Sequence, residues 1–595
     1  MNGYSALSPN KHPCTTVKNI ASRRKTTLAL GLLAALTSTL LTDVARAQTS
    51  PADTAQRIQR EEQERQRQQM ERDQRRLPAP KGSESSAPAP KAEETDTVCR
   101  DVHEIAITGA ANLPQSERTV LTKPYLERCL YVRDIEKLLA DITNYYIKHG
   151  YVTTRVYVPK QDLSKGKLEI MVVEGVVEKI SIIDGDKKTV SVGNVMPGAQ
   201  GKLLNMRDLE QGLDQINRLQ SNNATFEIRP GDAAGSSDVV IHNTASSPVH
   251  ADVRWDNEGA EATGQNEVGA SGSIDNVFGF DDYISVTHMQ SVPAREETKL
   301  SKTDSAAYSL PLGYSTLSLA ASKSRYVSQI DTDSGSSLKS SGTSAINSVK
   351  LDNVVYRSST DRATLSGTLT TKDTRNFLDD QLLSVSSRKL TIFDLDSDYT
   401  TGFHGSVVSI DLGLSRGLHT LGAMEDPDFL PREAPRAQFL KYKYGYSIAV
   451  PFEVEGVDSS FSSVLVGQQS QRALYGSEQI LIGSIYTVRG FVDNSLMGDN
   501  GFYVRNDLAA NVPVRWFKDY PMIVRPYIGL DLGRTSMRYG GTDAPAGYLS
   551  GMAVGLSISG KYLSLDIFNG RPLTKPSFMT RESDATFFVL TLATS

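Results

Sequence analysis

The pattern of apolar and polar positions changes character once along the 595-residue chain. Between residues 98 and 245, apolar side chains recur at helical spacing in two stretches, and short alternating segments flank each stretch. From about residue 246 onward, alternation with a period of two takes over, as where Leu563, Leu565 and Ile567 are separated by polar residues. The pattern therefore predicts an α+β part followed by an all-β part.

The α+β part contains two modules with one order of predicted elements, strand-helix-helix-strand-strand. The first module, residues 98–176, has an amphipathic helix over 132–149 that ends at Gly150. The second module, residues 177–245, has a comparable helix over 206–219. The two modules agree in pattern and not in sequence, which indicates a structural repeat. The alternative is two unrelated α+β domains, and neither module carries a catalytic set of side chains.

Sixteen strands are predicted over residues 246–595, and their connections alternate between short and long. Short turns such as 311–313 follow the even strands, whereas long polar segments such as 331–344 and 471–499 follow most odd strands. This alternation is typical of an outer-membrane β-barrel, with turns in the periplasm and loops outside. A soluble β-sandwich is the alternative, but it gives no reason for loop length to alternate. Both ends of such a barrel face the periplasm, where the two modules are therefore expected.

The N-terminal 97 residues divide into three predicted segments. Residues 1–47 combine a basic stretch, a short apolar run and a small-x-small site, which is typical of a cleaved export signal peptide. Within residues 48–76, the stretch 53–76 consists of strong helix formers without an apolar face. They are either a disordered charged arm or a helix that lies in a water-filled lumen. Residues 77–97 are rich in Pro, Ala and Ser and predict a flexible linker.

Composition and cysteine usage narrow the class of protein further. A net charge of −5 gives no basic excess of the kind that nucleic-acid binding needs. After removal of the signal, Cys99 and Cys129 remain, and an even pair in an oxidising compartment predicts a disulfide. Two cysteines without a histidine cluster cannot fill a tetrahedral site, so no metal and no cofactor is expected. The motifs HExxH and GxxxxGK[ST] are absent from the sequence, and no set of Ser, His and Asp stands in a recognisable catalytic context, so an enzyme is not expected.

Two short motifs near the C-terminus carry the most specific information. A VRGF motif lies in the long segment 471–499, and a YIGLDLG motif lies in a later predicted strand. Taken alone, a loop arginine is usually solvated and a strand aspartate usually faces water. The residues concerned are Val488, Arg489, Gly490 and Phe491 in the first motif, and Gly529, Asp531 and Gly533 in the second.

With the two modules and the sixteen strands, these motifs resemble the outer-membrane transporters of two-partner secretion. This is the haemolysin and filamentous-haemagglutinin secretion type, within the superfamily that joins POTRA domains to a barrel. The resemblance extends over nearly all of the chain after the signal and includes 254–282 at the barrel start. It implies POTRA domains at 98–176 and 177–245, a lumen plug helix at 48–76 and a 16-stranded transmembrane barrel at 246–595. It also implies that the VRGF loop folds back into the lumen, where Arg489 pairs with Asp531.

The implied function is type V secretion of one large, β-rich partner protein to the cell surface or medium. The partner would be an adhesin, a haemolysin, a contact-dependent toxin or a haem-capture protein, recognised in the periplasm by the POTRA domains. Contacts with the partner are expected around residues 206–228. The chain is expected to be a monomer in outer-membrane lipid, with no nucleic-acid partner. The alternative is an insertase for other barrels, which usually carries more POTRA modules.

Overall fold

A computed structural model gives the fold of this chain. It describes Ile58, Gln66 and residues 98–184, 189–331, 335–492, 494–517, 520–539, 546–579 and 583–594. The predicted signal (1–47) and linker (77–97) lie outside the described residues, as does the predicted plug helix apart from Ile58 and Gln66. Among the helices that are described, none has the length and apolar character needed to cross a membrane.

The first module packs two helices against a three-stranded sheet. Its elements are β1 (Arg100–Val102), β2 (Glu104–Thr108), α1 (Gln115–Thr122), β3 (Arg128–Leu130), α2 (Val132–Lys148), β4 (Arg155–Tyr157) and β5 (Lys167–Val173). The sheet has the order β2-β5-β4, with β2 parallel to β5. Helix α2 buries Leu138, Ile142 and Tyr146, which are four residues apart and therefore share one face. A disulfide joins Cys99 to Cys129, whose Cα atoms are 5.3 Å apart, beside the small β1–β3 sheet.

The second module repeats this arrangement. Its elements are β6 (Val176–Ile183), α3 (Val192–Val195), α4 (Met206–Asn217), β7 (Ala224–Pro230) and β8 (Ser236–Asn243). The sheet has the order β6-β8-β7, with β6 parallel to β8. Asn205 begins α4 as its N-cap, because its side chain accepts a hydrogen bond from the backbone N–H of Arg207. Leu209 and Ile216 on one face of α4 are buried in the core of the module.

Of the twenty strand segments that remain, most close into an antiparallel barrel of sixteen strands, in which the last strand pairs with the first. The strands are β9 (Val249–Asp256), β10 (Glu267–Asp275), β11 (Tyr283–Ser291), β12 (Leu300–Leu312), β13 (Ser315–Asp331), β14 (Ser337–Arg357), β15 (Asp361–Leu378), β16 (Gln381–Leu382), β17 (Arg388–Phe403), β18 (Ser406–Leu418), β19 (Leu440–Val454), β20 (Val457–Ser470), β21 (Ile480–Ile482), β22 (Leu496–Gly498), β23 (Asn500–Ala510), β24 (Val512–Phe517), β25 (Tyr520–Ser536), β26 (Gly547–Ser559), β27 (Leu563–Thr574) and β28 (Ala585–Ala593). Among these, β16 extends one hairpin, β24 continues β23, and β21 and β22 form a separate hairpin.

The two faces of the barrel wall differ in character. Apolar side chains such as Ile528, Leu530 and Val554 are about half exposed, at 54%, 53% and 51%. Between the first two, Gly529 faces the opposite side, where it lies against a loop inside the barrel. Exposed apolar positions recur in this way around the wall and form a belt on its outer face, which a water-soluble protein would not present.

One loop prediction was wrong. The segment 331–344 was predicted to be a long external loop, but β13 continues to Asp331 and β14 begins at Ser337. The two strands pair directly through Asp331 and Ser337. The segment is rich in Ser, Thr and Gly because strands that extend beyond the membrane have no lipid-facing side, so no apolar alternation marks them as strand.

The second module is docked on the turns at the base of the barrel. Arg218, at the end of α4, donates to Ser309 Oγ at 2.6 Å and to the backbone oxygen of Asp281 at 2.9 Å. Gln215 donates to the backbone oxygen of Gly313 at 3.1 Å. The segment 206–228 was expected to contact a partner protein. The face of α4 in this segment that carries Gln215 is instead covered by the barrel. This docking was not predicted, because polar Gln and Arg side chains look solvent-exposed in a sequence, and the partner contact around 206–228 stays a prediction.

Candidate functional site

The segment between β20 and β23 folds back inside the barrel, and we refer to residues 471–499 as the lumen loop. Its hairpin of β21 and β22 leads into a tip, residues 484–492. Gly483 opens the tip with a φ of +88°, a conformation that glycine adopts without strain. The VRGF side chains point into protein, because Val488, Arg489 and Phe491 are 0%, 2% and 1% exposed.

Arg489 is bound to Asp531 of β25 by three hydrogen bonds. Its Nε donates to Oδ2 at 2.6 Å, its Nη2 donates to Oδ1 at 2.8 Å, and its backbone N–H donates to Oδ2 at 3.0 Å. The guanidinium thus presents two parallel donors to a fully buried carboxylate, the strongest geometry for this pair. Asp507 of β23 forms a second ion pair with Arg489 Nη2 at 2.7 Å.

The tip rests on a floor of glycines from three neighbouring strands. A Cβ on Gly529 of β25 would lie 2.2 Å from Arg489 Nη2, and one on Gly551 of β26 would lie 1.8 Å from the Arg489 carbonyl oxygen. A Cβ on Gly570 of β27 would lie 2.9 Å from the backbone nitrogen of Gly490. Glycine in a strand often marks such a close backbone approach. Gly490 itself has a φ of +99° and lies against the backbone of β27.

The neighbouring motif residues pack against the wall through apolar contacts. Val488 and Phe491 belong to one buried cluster, whose other members are Ile480, Ile482, Leu496, Tyr503, Leu549 and Met579. Gly533 makes room for it, because a Cβ there would lie 3.1 Å from Val488 Cγ2. The structure therefore brings all seven motif residues named from the sequence to one site on the inner wall.

Further polar contacts hold the tip. Tyr486 donates from its hydroxyl to Glu258 Oε2 at 3.1 Å, and Glu258 is paired with Arg254 of β9. Arg505 of β23 donates to the backbone oxygen of Ile485 at 3.0 Å. Sequence reasoning missed Glu258, Arg505 and Asp507. The alternation of β23 could have placed Arg505 and Asp507 on one face, but charged residues in a strand look water-facing.

Of the two described residues of the N-terminal segment, Gln66 lies against the inner face of β13. Ile58 and Gln66 are both helical and 1% exposed. Gln66 Nε2 donates to Ser322 Oγ at 2.8 Å, and Ser324 Oγ donates to Gln66 Oε1 at 3.3 Å. Ser322 and Ser324 are buried, whereas Leu319 on the other face of β13 is exposed.

The contact between the second module and the barrel contains buried ionic groups. Asp214 of α4 binds Arg357 Nη2 at 2.8 Å, and burial raises the pKa of the Asp214 carboxyl. Asp281, in the turn before β11, accepts a hydrogen bond from the backbone N–H of Ser191 at 2.8 Å. Burial raises the pKa of Asp281 to about 6, against the lowering effects of that hydrogen bond and of Arg218.

Three family models match the chain in the order of its parts. The model described as haemolysin secretion/activation protein ShlB/FhaC/HecB matches residues 235–558. A ShlB-type POTRA domain matches residues 101–175, and a second POTRA model matches residues 176–230. The two modules are therefore POTRA domains.

Individual relatives and solved structures agree with these models. The outer membrane transporter CdiB of Dickeya dadantii (strain 3937) is 33% identical over 81% of this chain and 84% of its own length. The hemolysin transporter protein ShlB of Serratia marcescens is 31% identical over 69% of this chain and 71% of its own. The solved structure of CdiB from Escherichia coli superposes with a TM-score of 0.81 at 31% identity, covering 92% of this chain and 100% of that one. The chain belongs to the ShlB/FhaC/HecB family of haemolysin secretion/activation proteins, the outer-membrane transporters of two-partner secretion, whose POTRA domains lie in the periplasm.

Proposed function

We propose that this chain is the pore through which one large, β-rich partner protein crosses the outer membrane, and that the lumen loop closes the pore at rest. The observation that carries the proposal is the buried contact between Arg489 and Asp531, which fixes a 29-residue lumen segment (471–499) to the inner wall. A partner protein cannot share the lumen with this segment in place. Export therefore requires the tip to leave the wall.

The POTRA domains recognise the partner by strand addition. β7 lies at an edge of its sheet, where it pairs with β8 on one side. An exposed edge offers free backbone groups to an extended segment of another chain. This proposal places the partner on β7, whose residues 224–228 fall within the segment 206–228. A large β-rich partner supplies many extended segments while it is unfolded.

No nucleotide-binding loop is present in the sequence, so the energy for export comes from the partner itself. We propose that the partner folds outside the cell and cannot slide back. In this proposal the chain binds the partner protein and conducts it through the pore, and it performs no catalysis. It needs no cofactor, metal or nucleic acid, and it acts as a monomer whose apolar belt contacts outer-membrane lipid.

The ion pair between Arg489 and Asp531 serves as a latch in this proposal. Separating the pair withdraws the guanidinium of Arg489 from the carboxylates of Asp531 and Asp507, and breaking a buried ion pair costs several kcal/mol, on the order of 3–5. The tip therefore stays closed until partner binding supplies the energy to displace it. A tip that lacks the pair does not hold the position from which the partner moves it, so loss of the pair lowers export. The disulfide between Cys99 and Cys129 has a different role, because it stabilises the first POTRA domain.

The N-terminal segment 48–76 acts as a second closure. A helix of residues 53–76 would be about 36 Å long, which is enough to cross the barrel. The contacts of Gln66 with Ser322 and Ser324 support a helix that lies along the inner face of β13. The helix leaves the lumen during export.

An insertase for other barrels is the second candidate, and the family match favours a transporter. The partner belongs to the adhesins, haemolysins, contact-dependent toxins or haem-capture proteins. The test compares culture supernatants and cell surfaces of a strain that lacks this chain with the same strain after complementation. We expect one large protein to disappear and return. An unchanged set of exported proteins, together with loss of several outer-membrane barrels, would support the insertase instead.

A further inference from the structure

A second buried ionic contact holds the lumen loop, at its outer end. Glu478 is 3% exposed and lies between two lysines. Its Oε1 is 2.7 Å from Lys372 Nζ of β15, and its Oε2 is 3.2 Å from Lys441 Nζ of β19. These strands lie on the other side of β20 from β23 and β25, which bind Arg489. The outer end of the lumen loop and its tip are therefore attached to different parts of the wall.

The main chain and apolar side chains reinforce this outer contact. The backbone oxygen of Glu478 accepts hydrogen bonds from Lys441 Nζ and from Gln468 Nε2, both at 3.0 Å. Just before it, Leu474 and Tyr475 pack on a buried cluster of the wall and of the loop that precedes β19; its other members are Leu390, Ile392, Met424, Ala437 and Phe439. The outer end is thus fixed through charge, backbone and apolar contacts together.

The charged groups of the wall differ between the outer end of the lumen loop and its tip. At the outer end, Lys443 already binds Asp394 at 2.7 Å and Asp396 at 2.8 Å. Withdrawal of Glu478 would leave Lys372 and Lys441, two like charges beside each other, without the carboxylate that lies between them. Like charges at close range repel, so this separation carries an electrostatic cost.

At the tip, the wall supplies its own cation. Arg505 of β23 is directly opposite Asp531 of β25 in the strand register, and it also reaches into the lumen to bind Ile485. When Arg489 leaves, Arg505 remains beside the carboxylates of Asp531 and Asp507. The tip can therefore leave its site at a lower electrostatic cost than the outer end can.

We propose that Glu478 is a positioning residue that keeps the outer end of the lumen loop attached to the wall while the tip moves. The loop then opens by displacement of residues 484–492 about a fixed end, and it does not leave the lumen as one unit. This inference rests on the proposed role of the loop as the closure of the pore.

Hydrogen–deuterium exchange of the full-length protein in detergent micelles, without any partner, tests the proposal. Peptides over 474–482 and 484–492 report the outer end and the tip separately. We expect Arg489→Ala to speed exchange over 484–492 and to leave 474–482 protected. We expect Glu478→Ala to speed exchange over 474–482 by about tenfold or more, since local opening follows the lost contacts. Glu478→Asp keeps the charge and should restore most of the protection.

Lys350→Met is the matched control, because Lys350 forms an ion pair with Asp352 at 2.9 Å on the wall. If Glu478→Ala fails to assemble, Lys372→Met removes one partner and should give a smaller rise over 474–482. Equal acceleration of both peptides by Arg489→Ala would overturn the proposal, as would a Glu478→Ala variant that behaves like the control. Export measurements on the Arg489 variant test the proposed function separately, because the exchange experiment contains no partner.

Discussion

The carbonyl oxygen of Arg489 lies so close to Gly551 of β26 that no side chain fits between them. A Cβ at residue 551 would be 1.8 Å from that oxygen. The tip of the lumen loop is therefore fixed by shape as well as by charge. This relationship allows the tip to be displaced without any change to Arg489 or Asp531.

We expect Gly551→Ala to displace the tip and to reproduce the loss of export caused by removal of Arg489. The added methyl group meets a backbone oxygen, which cannot rotate away as a side chain could. We expect the amount of exported partner to fall by about tenfold or more, because an added methyl group at a fully packed site forces the backbone to shift. Gly272→Ala in β10 is the control, because a Cβ there meets nothing within 4 Å. Equal export by both variants would show that the tip does not depend on the glycine floor.

The plug proposal predicts a cross-link between the N-terminal segment and the wall. Gln66→Cys combined with Ser322→Cys should be joined by a short bis-thiol cross-linker in the resting protein, since the native side chains are hydrogen-bonded at 2.8 Å. Lys323→Cys is the control partner, because residue 323 points to the opposite face of β13. Deletion of 53–76 should also raise single-channel conductance in a planar bilayer. Unchanged conductance, with no cross-link, would favour the disordered-arm interpretation.

The contact between the second POTRA domain and the barrel should weaken as pH rises. Burial raises the pKa of Asp281 to about 6, above the ordinary aspartate pKa of about 3.9. The docked state therefore favours the protonated carboxyl, and stability is lost as pH rises from about 4 through 6. Asp281→Asn keeps an acceptor for Ser191 and carries no charge.

We expect Asp281→Asn to raise the Tm at pH 7.5 and to flatten its dependence on pH between 5 and 7. Thermal unfolding in detergent micelles, followed by intrinsic fluorescence, measures both effects. Arg218 and Asp282 are the charged neighbours that modulate the response. A variant that is less stable at pH 7.5 would mean that the ionised form of Asp281 is the one that favours docking.

The disulfide should matter for stability and not for the pore. Replacement of both Cys99 and Cys129 by serine opens a loop with a sequence separation of 30. Chain entropy gives a loss of roughly 3–4 kcal/mol in the free energy of unfolding of the first POTRA domain. Urea unfolding of the wild type with and without reductant, beside the double variant, measures it. Single-channel conductance should stay unchanged, and a change in conductance would contradict a purely structural role.

Much of the architecture follows from local pattern, and the exceptions have physical causes. Alternation such as that of Leu563, Leu565 and Ile567 marks strands whose two faces meet different solvents. The part of β14 that begins at Ser337 was missed because both of its faces are polar. Burial by residues that are distant in the sequence is the other feature that local pattern does not predict. Glu478 looks like an ordinary surface charge in the sequence, and only the folded loop places it between lysines.

The candidate site likewise contains residues that could be predicted from the sequence and residues that could not. The VRGF and YIGLDLG motifs could be named from a family resemblance, because their residues are contiguous in sequence. Asp507, Gly551 and Gly570 belong to the same site, but they lie on separate strands that only the closure of the barrel brings together. The docking face of α4 was missed because Gln215 and Arg218 are polar and yet fully covered.

The most direct test of the account measures export of the partner protein by Arg489→Ala, Asp531→Ala and the double variant. Arg534→Ala, on an exposed residue of β25, is the control. The account predicts that each single variant reaches the outer membrane in normal amount and loses at least about tenfold in export, since breaking a buried ion pair is strongly destabilising. The double variant should lose no more than the singles, because all three variants lack the contact between Arg489 and Asp531. Normal export by Arg489→Ala would contradict the account.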